Sequence, residues 1–260
     1  MPKILPGVSV VIPVFNEEQY LPVCLDSLMA QKIKADEIII VDNNSTDNSV
    51  KVAKKYPVRI VREKQQGITP TRNRGFNEAK YEIVARTDAD TKVPKDWIKK
   101  IKKHFNDKNI VAASGPTHFY DLPKQISVKA ALNVHKTYFR LMKQILKYDC
   151  LFGPNMAIRK TAWEKIKNEV CLDDEKVHED IDLTLHIRPY GTILFDRSLI
   201  VSSSFRRFRT LDTWDSYLEY PYRVMTSIQK HTTFSVRKNG KKLVKKFATK
   251  VFPRNLPSIN

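Results

Sequence analysis

Four clusters of polar residues have the types and spacing that chemistry on phosphates and hydroxyls requires. Pro13-Val14-Phe15-Asn16-Glu17-Glu18, Asp42-Asn43-Asn44-Ser45-Thr46-Asp47 and Asp88-Ala89-Asp90 each follow a run of apolar, largely β-branched residues. The fourth, residues 173–182, carries six carboxylates against one lysine and ends in Glu179-Asp180-Ile181-Asp182. Asp88 and Asp90 form a pair of hard oxygen ligands suited to Mg2+ or Mn2+ bridging a diphosphate. A Walker phosphate loop and a Gly-x-Gly-x-x-Gly turn are both absent, and the chain has only seven glycines. Phosphates must therefore be held by metal and cationic side chains rather than by a glycine nest. Taken singly, Asp42 or Asp47 reads equally well as a turn or helix cap. Their convergence with the other clusters does not reduce to capping.

An alternation of strands and helices must position these clusters. Val8–Val14 is a continuous β-branched run, as expected of a buried parallel strand. Leu21, Cys24, Leu25 and Leu28 follow at helical spacing. Glu37–Val41, Val58–Val61, Ile83–Thr87 and Ile110–Ala113 read as further strands, with helices at Thr71–Ala79 and after Pro94. Such βα repeats predict an α/β fold built on an open, mostly parallel sheet, where ligands bind beyond the carboxyl ends of the strands. The first three clusters all fall at that rim. Farther on, Ile126–Leu146 and Val177–Ile187 have helical patterns, and Gly153-Pro154-Asn155 leads into a short strand, Met156–Ile158. Ile193–Phe195 and Leu199–Val201 read as a final strand pair, and Trp214–Lys230 as a helix.

The motifs Val-Val-Ile-Pro-Val-Phe-Asn-Glu-Glu, Ile-Ile-Val-Asp-Asn-Asn-Ser-Thr-Asp-Asn-Ser, Thr71-Arg72-Asn73-Arg74-Gly75 and Asp88-Ala89-Asp90 occur in the order and spacing of the family 2 glycosyltransferases. So do Gly153-Pro154-Asn155-Met156-Ala157-Ile158-Arg159 and Glu179-Asp180-Ile181-Asp182-Leu183. The chain resembles that family over about residues 7–205. The resemblance implies a GT-A (Rossmann-like) catalytic domain over 1–205, a nucleotide-diphospho-sugar donor (UDP- or GDP-sugar), a Mn2+ or Mg2+ cofactor and inversion at the anomeric carbon. The acceptor it implies is a hydroxyl or phosphate of a saccharide or lipid-linked molecule. On the same basis Pro13, Val14, Phe15, Asn16 and Glu17 would line base and ribose. Asp42, with Asn44 nearby, would accept the base N–H. Arg72 and Asn73 would flank the nucleotide, with Thr71 standing where the family motif has Ala. Asp88, with Ala89 beside it, would contact ribose or the hydrated metal, Asp90 would coordinate the metal, and Asp180, next to Glu179, would be the general base. Neighbouring carboxylates raise one another's pKa, which suits a base. The alternative is that Glu179, Asp180 and Asp182 only decorate a helix N-terminus.

Many relatives carry a metal-binding histidine after the last strand; here that stretch reads Val201-Ser202-Ser203-Ser204-Phe205-Arg206-Arg207. Arg206 and Arg207 are read either as diphosphate ligands or as a solvated face. The six histidines form no ligand-spaced cluster, which argues against zinc.

The chain's 260 residues carry 46 basic and 28 acidic side chains, net +18, a field that attracts polyanions. Residues 206–260 hold +10 of that excess together with Trp214, Tyr217, Tyr220 and Tyr222. They read as a basic helical extension that either docks on an anionic membrane through Lys238–Lys250 or packs on the domain. Nucleic acid is a weaker reading, since neither the Lys95–Lys103 face nor the tail shows an RRM-like aromatic pattern. A sugar-phosphate nucleotidyltransferase would show a Gly-rich basic first loop, whereas residues 13–18 are acidic. The N-terminal residues lack an apolar h-region, and three cysteines without a Cys-x-x-Cys pair suit a reducing compartment. The expectation is a cytoplasmic enzyme, peripheral on the inner membrane face if the tail binds lipid.

Overall fold

The computed structural model describes residues 5–122 and 128–206, together with 223, 224, 226 and 227. A seven-stranded sheet forms its centre, in the order β3-β2-β1-β4-β8-β6-β9. These strands are β1 (Val8–Val14), β2 (Glu37–Asp42), β3 (Arg59–Arg62), β4 (Ile83–Arg86), β6 (Ile110–Ser114), β8 (Met156–Arg159) and β9 (Thr192–Phe195). All neighbours run parallel except β8, which is antiparallel to both β4 and β6. The expected mostly parallel α/β sheet is therefore present.

Strand alternation sends side chains to two cores. Val8, Val10, Ile12 and Val14 of β1 pack with α1 (Leu21–Met29) and α4 (Trp97–His104) on one face. Val11, Ile39 and Val41 face α3 (Ile68–Glu78), α6 (Lys160–Ile166) and α7 (Glu179–Ile187) on the other. A third cluster joins α5 (Val128–Leu146) to Ile181 and Leu185 of α7, and includes Val224. Part of the Trp214–Lys230 segment is thus helical and packed on the domain; the rest of it, and Lys238–Lys250, lie outside the described residues.

Two expectations need correction. The helix read from Thr71 starts at Ile68, because Asp174, 105 residues away, accepts the Thr69 backbone N–H at 3.2 Å. Ile193–Phe195 and Leu199–Val201 are not paired with each other. The first belongs to β9 beside β6, while β10 (Val201–Ser203) sits in a second sheet between β5 (Thr91–Lys92) and β7 (Thr117–Phe119). Between them Asp196 accepts the Ser198 N–H at 2.7 Å and pairs with His104 at 2.8 Å, turning the chain off the large sheet.

Gly75 in α3 marks the closest helix–sheet approach, since a Cβ there would run into Val11 and Val41. Gly75→Ala regains about 1 kcal/mol of helix propensity but overpacks the interface by about 1–3 kcal/mol. Urea unfolding is expected to show a net loss of up to about 2 kcal/mol. A gain in stability would contradict this packing.

Candidate active site

The carboxyl ends of β1, β2 and β4 open on one rim, and side-chain amides tie the loops there. Asn16 and Asn44 adopt left-handed backbone, φ 55° and 63°, which asparagine tolerates better than most residues. Asn16 Oδ1 accepts the Thr46 N–H at 2.8 Å, and Asn44 Nδ2 donates to the Lys64 carbonyl at 2.9 Å. Asp47 accepts the Ser49 N–H at 2.9 Å in the turn that enters α2 (Ser49–Ala53), whose N-cap residue is Asn48, and also accepts the Glu18 N–H at 2.9 Å. Asp42 Oδ1 accepts the Ser45 N–H at 3.1 Å. Pro13 and Val14 are buried in β1, whereas Phe15 is 49% exposed at the mouth.

Beneath this rim lies a buried charge cluster centred on Arg86, the last residue of β4. Its Nη1 meets Glu179 Oε1 at 2.7 Å and lies 3.6 Å from Asp180 Oδ1, and its Nη2 meets Asp88 Oδ1 at 3.1 Å. Arg72, fully buried, donates to Glu179 Oε2 at 2.9 Å and to Asn73 Oδ1. Two guanidiniums thus clamp the start of α7. Gly153 lets this happen, because a Cβ there would press on the Arg86 guanidinium at 2.9–3.2 Å. The Gly153 N–H in turn donates to Asp180 Oδ2 at 2.7 Å.

The two adjacent carboxylates are driven apart. Burial pushes the Glu179 carboxyl up, but Arg86 and Arg72 outweigh this and hold it below the usual range. Asp180 is pushed up to about 7, by burial first and then by the Glu179 charge, with Arg86 opposing. Its Oδ1 is buried without a hydrogen-bond partner. Three other acids in this segment hold backbone: Asp173 Oδ1 accepts the Glu175 N–H at 3.1 Å, Asp174 accepts the Thr69 N–H of α3, and Asp182 Oδ2 accepts the Cys171 N–H at 2.9 Å.

Asp90, two residues beyond Asp88, is 5% exposed. Its carboxylate Oδ2 accepts from Arg206 Nε at 3.0 Å, while Arg206 Nη2 pairs with Glu17 Oε1 and the guanidinium stacks 4.2 Å over the Tyr20 ring. Arg207 lies outside the described residues. Among the described residues no three His, Cys, Asp or Glu side chains gather to hold a metal by themselves. A divalent ion would have to complete its shell with donor phosphates and water, as Mg2+ commonly does. Asp90 fits that role, being a hard-oxygen ligand that already holds a cation.

The sequence profile of glycosyl transferase family 2 matches residues 9–167. The chain belongs to glycosyl transferase family 2. It is 25% identical over 218 residues to the glycosyltransferase AglE of Haloferax volcanii, covering 75% of this chain and 71% of that one. It is 27% identical over 195 residues to the cholesterol galactosyltransferase of Borreliella burgdorferi, covering 69% and 54%. The chain spans 36%, 14% and 26% of the length of three further bacterial glycosyltransferases that it matches over shorter stretches. Among solved structures, the Pyrobaculum calidifontis mannosyltransferase PcManGT in complex with GDP-Man and Mn2+ superposes with a TM-score of 0.69 at 18% identity, over 98% of this chain and 78% of that one. S. aureus TarS in complex with UDP-GlcNAc gives 0.65 at 16%, over 95% and 74%. The fold is GT-A.

In this family 2 member, the fold brings together Glu17, Asp88, Asp90, Glu179, Asp180 and Arg206. Arg72 and Asn73 sit underneath, bracing α7. Arg86 escaped sequence reasoning, although an arginine closing the apolar stretch Ile83–Ala85 was its signal. Tyr20, which carries the Arg206 guanidinium, was missed as well.

Removing one partner from a buried ion cluster leaves uncompensated charge, typically at a cost of about 3–5 kcal/mol. Arg86→Met is expected to lose that much in urea unfolding. Combined with Glu179→Gln, the loss should fall well short of the sum of the two single variants. Additive losses would show that the two side chains do not interact.

Proposed function

We propose that this protein is an inverting glycosyltransferase that moves a sugar from a UDP- or GDP-sugar to a hydroxyl or phosphate of a saccharide or lipid-linked acceptor. The observation that carries this reading is the buried Oδ1 of Asp180, which accepts no hydrogen bond and is tied by its ion pair with Arg86 to the Asp88–Asp90 end of β4. In a single displacement the acceptor oxygen attacks the anomeric carbon as the bond to the diphosphate breaks. The acceptor proton passes to Asp180 Oδ1, and the negative charge leaves on the nucleoside diphosphate. Asp180 suits the task because burial and Glu179 raise its proton affinity while its other oxygen is fixed by the Gly153 N–H. Glu179 and Arg86 hold that geometry. Mn2+ or Mg2+ at Asp90 would neutralise the leaving diphosphate, with Asp88 on the ribose or the hydrated ion. Exposed Phe15 offers a face for the base, and Asp42 an acceptor for its N–H. The ligands of PcManGT and TarS and the substrate named for the Borreliella relative support this class of donor and acceptor.

Residues 1–205 would form the catalytic domain and 206–260 its basic extension, peripheral on an anionic cytoplasmic membrane face. Among the described residues no helix is long and apolar enough to cross a membrane.

Asp180→Asn is expected to keep donor binding by calorimetry while losing transfer by about 10²–10⁴-fold. Near-wild-type turnover would overturn the assignment. In the wild type, a base with its pKa near 7 accepts a proton only when ionised, so kcat should climb as pH rises through about 7. A flat profile between pH 5 and pH 7, on the order of the unperturbed carboxylate limit, would count against it. UDP or GDP with Mn2+ should raise Tm, and Asp90→Ala should remove the metal-dependent part of the rise. An unchanged metal-dependent rise in that variant would exclude Asp90 as the ligand.

A further inference from the structure

Arg206 is held on Asp90, the carboxylate read above as the metal ligand, and its seat is built. Its Nε donates to Asp90 Oδ2 at 3.0 Å, its Nη2 pairs with Glu17, and its guanidinium lies 4.2 Å over Tyr20, leaving the side chain 24% exposed. The backbone delivers it there. The Ser204 N–H donates to the Asp90 carbonyl at 3.1 Å, Ser203 and Thr91 hydroxyls meet at 2.9 Å, and Ser204 Oγ donates to Asp121 at 2.7 Å. This short chain from β10 fixes residue 206 beside the β4–β5 turn.

We propose that Arg206 is the resident cation of this site, exchanging with a divalent metal ion on Asp90, and that the donor diphosphate draws it away. The inference rests on reading Asp90 as the metal carboxylate. A guanidinium and a divalent ion sharing one largely buried carboxylate repel each other strongly. With no cluster of three protein ligands among the described residues, metal alone gains too little to displace the arginine. The planar fork of Arg206 matches phosphate oxygens as well as carboxylates, so a diphosphate offers it an alternative partner within reach. Metal and nucleotide therefore bind cooperatively. Arg206 sets that coupling.

The test is Mn2+ binding to the full chain, read from the electron paramagnetic resonance signal of free Mn2+, with and without UDP or GDP. The wild type should bind Mn2+ weakly alone and tightly with nucleotide. Arg206→Met should bind Mn2+ alone about 10-fold more tightly than wild type and lose most of the coupling. Arg206→Lys should fall between the two. Tyr20→Leu, which loosens the guanidinium without touching Asp90, should shift Mn2+ affinity the same way by less, and thermal melts would verify that each variant is folded. If folded Arg206→Met and Tyr20→Leu bind Mn2+ no better than wild type while nucleotide still promotes binding, the exchange is refuted and the metal reading stands. If wild type binds no Mn2+ even with UDP or GDP, the metal reading falls and the exchange with it.

Discussion

The guanidinium of Arg86, buried at the end of a central strand, is the constraint on which the site depends. Isolated, such a charge would be costly to bury; here it is compensated by Glu179, Asp88 and Asp180 arriving from two directions. The compensation works in both directions. Without Arg86, three carboxylates would crowd one dry space; without α7, the arginine would have only Asp88. The strand that ends in Asp-x-Asp and the helix that begins with Glu-Asp are therefore locked to each other by charge as well as by packing. Gly153 completes the lock by leaving room for the guanidinium and fixing one oxygen of Asp180.

That lock separates two adjacent acids into two roles. Glu179, clamped by Arg72 and Arg86, stays ionised and carries charge balance. Asp180, beside it but with one oxygen accepting no hydrogen bond, feels both burial and the Glu179 charge, which raise its proton affinity. At the other side of the opening, a second arginine balances a second acidic pair, Asp90 with Glu17. On the proposed reading, the departing diphosphate and the incoming hydroxyl would each be served by carboxylates whose charge is balanced by arginines.

Much of the frame was legible in the sequence because its causes are local. Val8–Val14 was read to the residue, since a strand buried on both faces is a continuous apolar run. The loop clusters announced themselves by following such runs. What sequence could not show depends on partners far along the chain. Arg86 meets Glu179 across 93 residues, and Asp174 starts α3 across 105. The second sheet is made of two- and three-residue strands, too short for any periodicity, so the pairing of β10 with β5 and β7 was hidden. The seat of Arg206 follows from that pairing. Asp47 shows a milder case: its hold on the Glu18 backbone reaches across 29 residues, which local turn chemistry does not reveal.

The fold holds Asp180 as a carboxyl of raised proton affinity beside an ionised Glu179. Carbon-13 NMR titration of the side-chain carboxyls, assigned by comparison with Asp180→Asn, measures it directly. The Asp180 resonance should titrate near 7 while Glu179 stays ionised below the usual carboxylate range. Titration of Asp180 near the ordinary aspartate value of about 4 would contradict it.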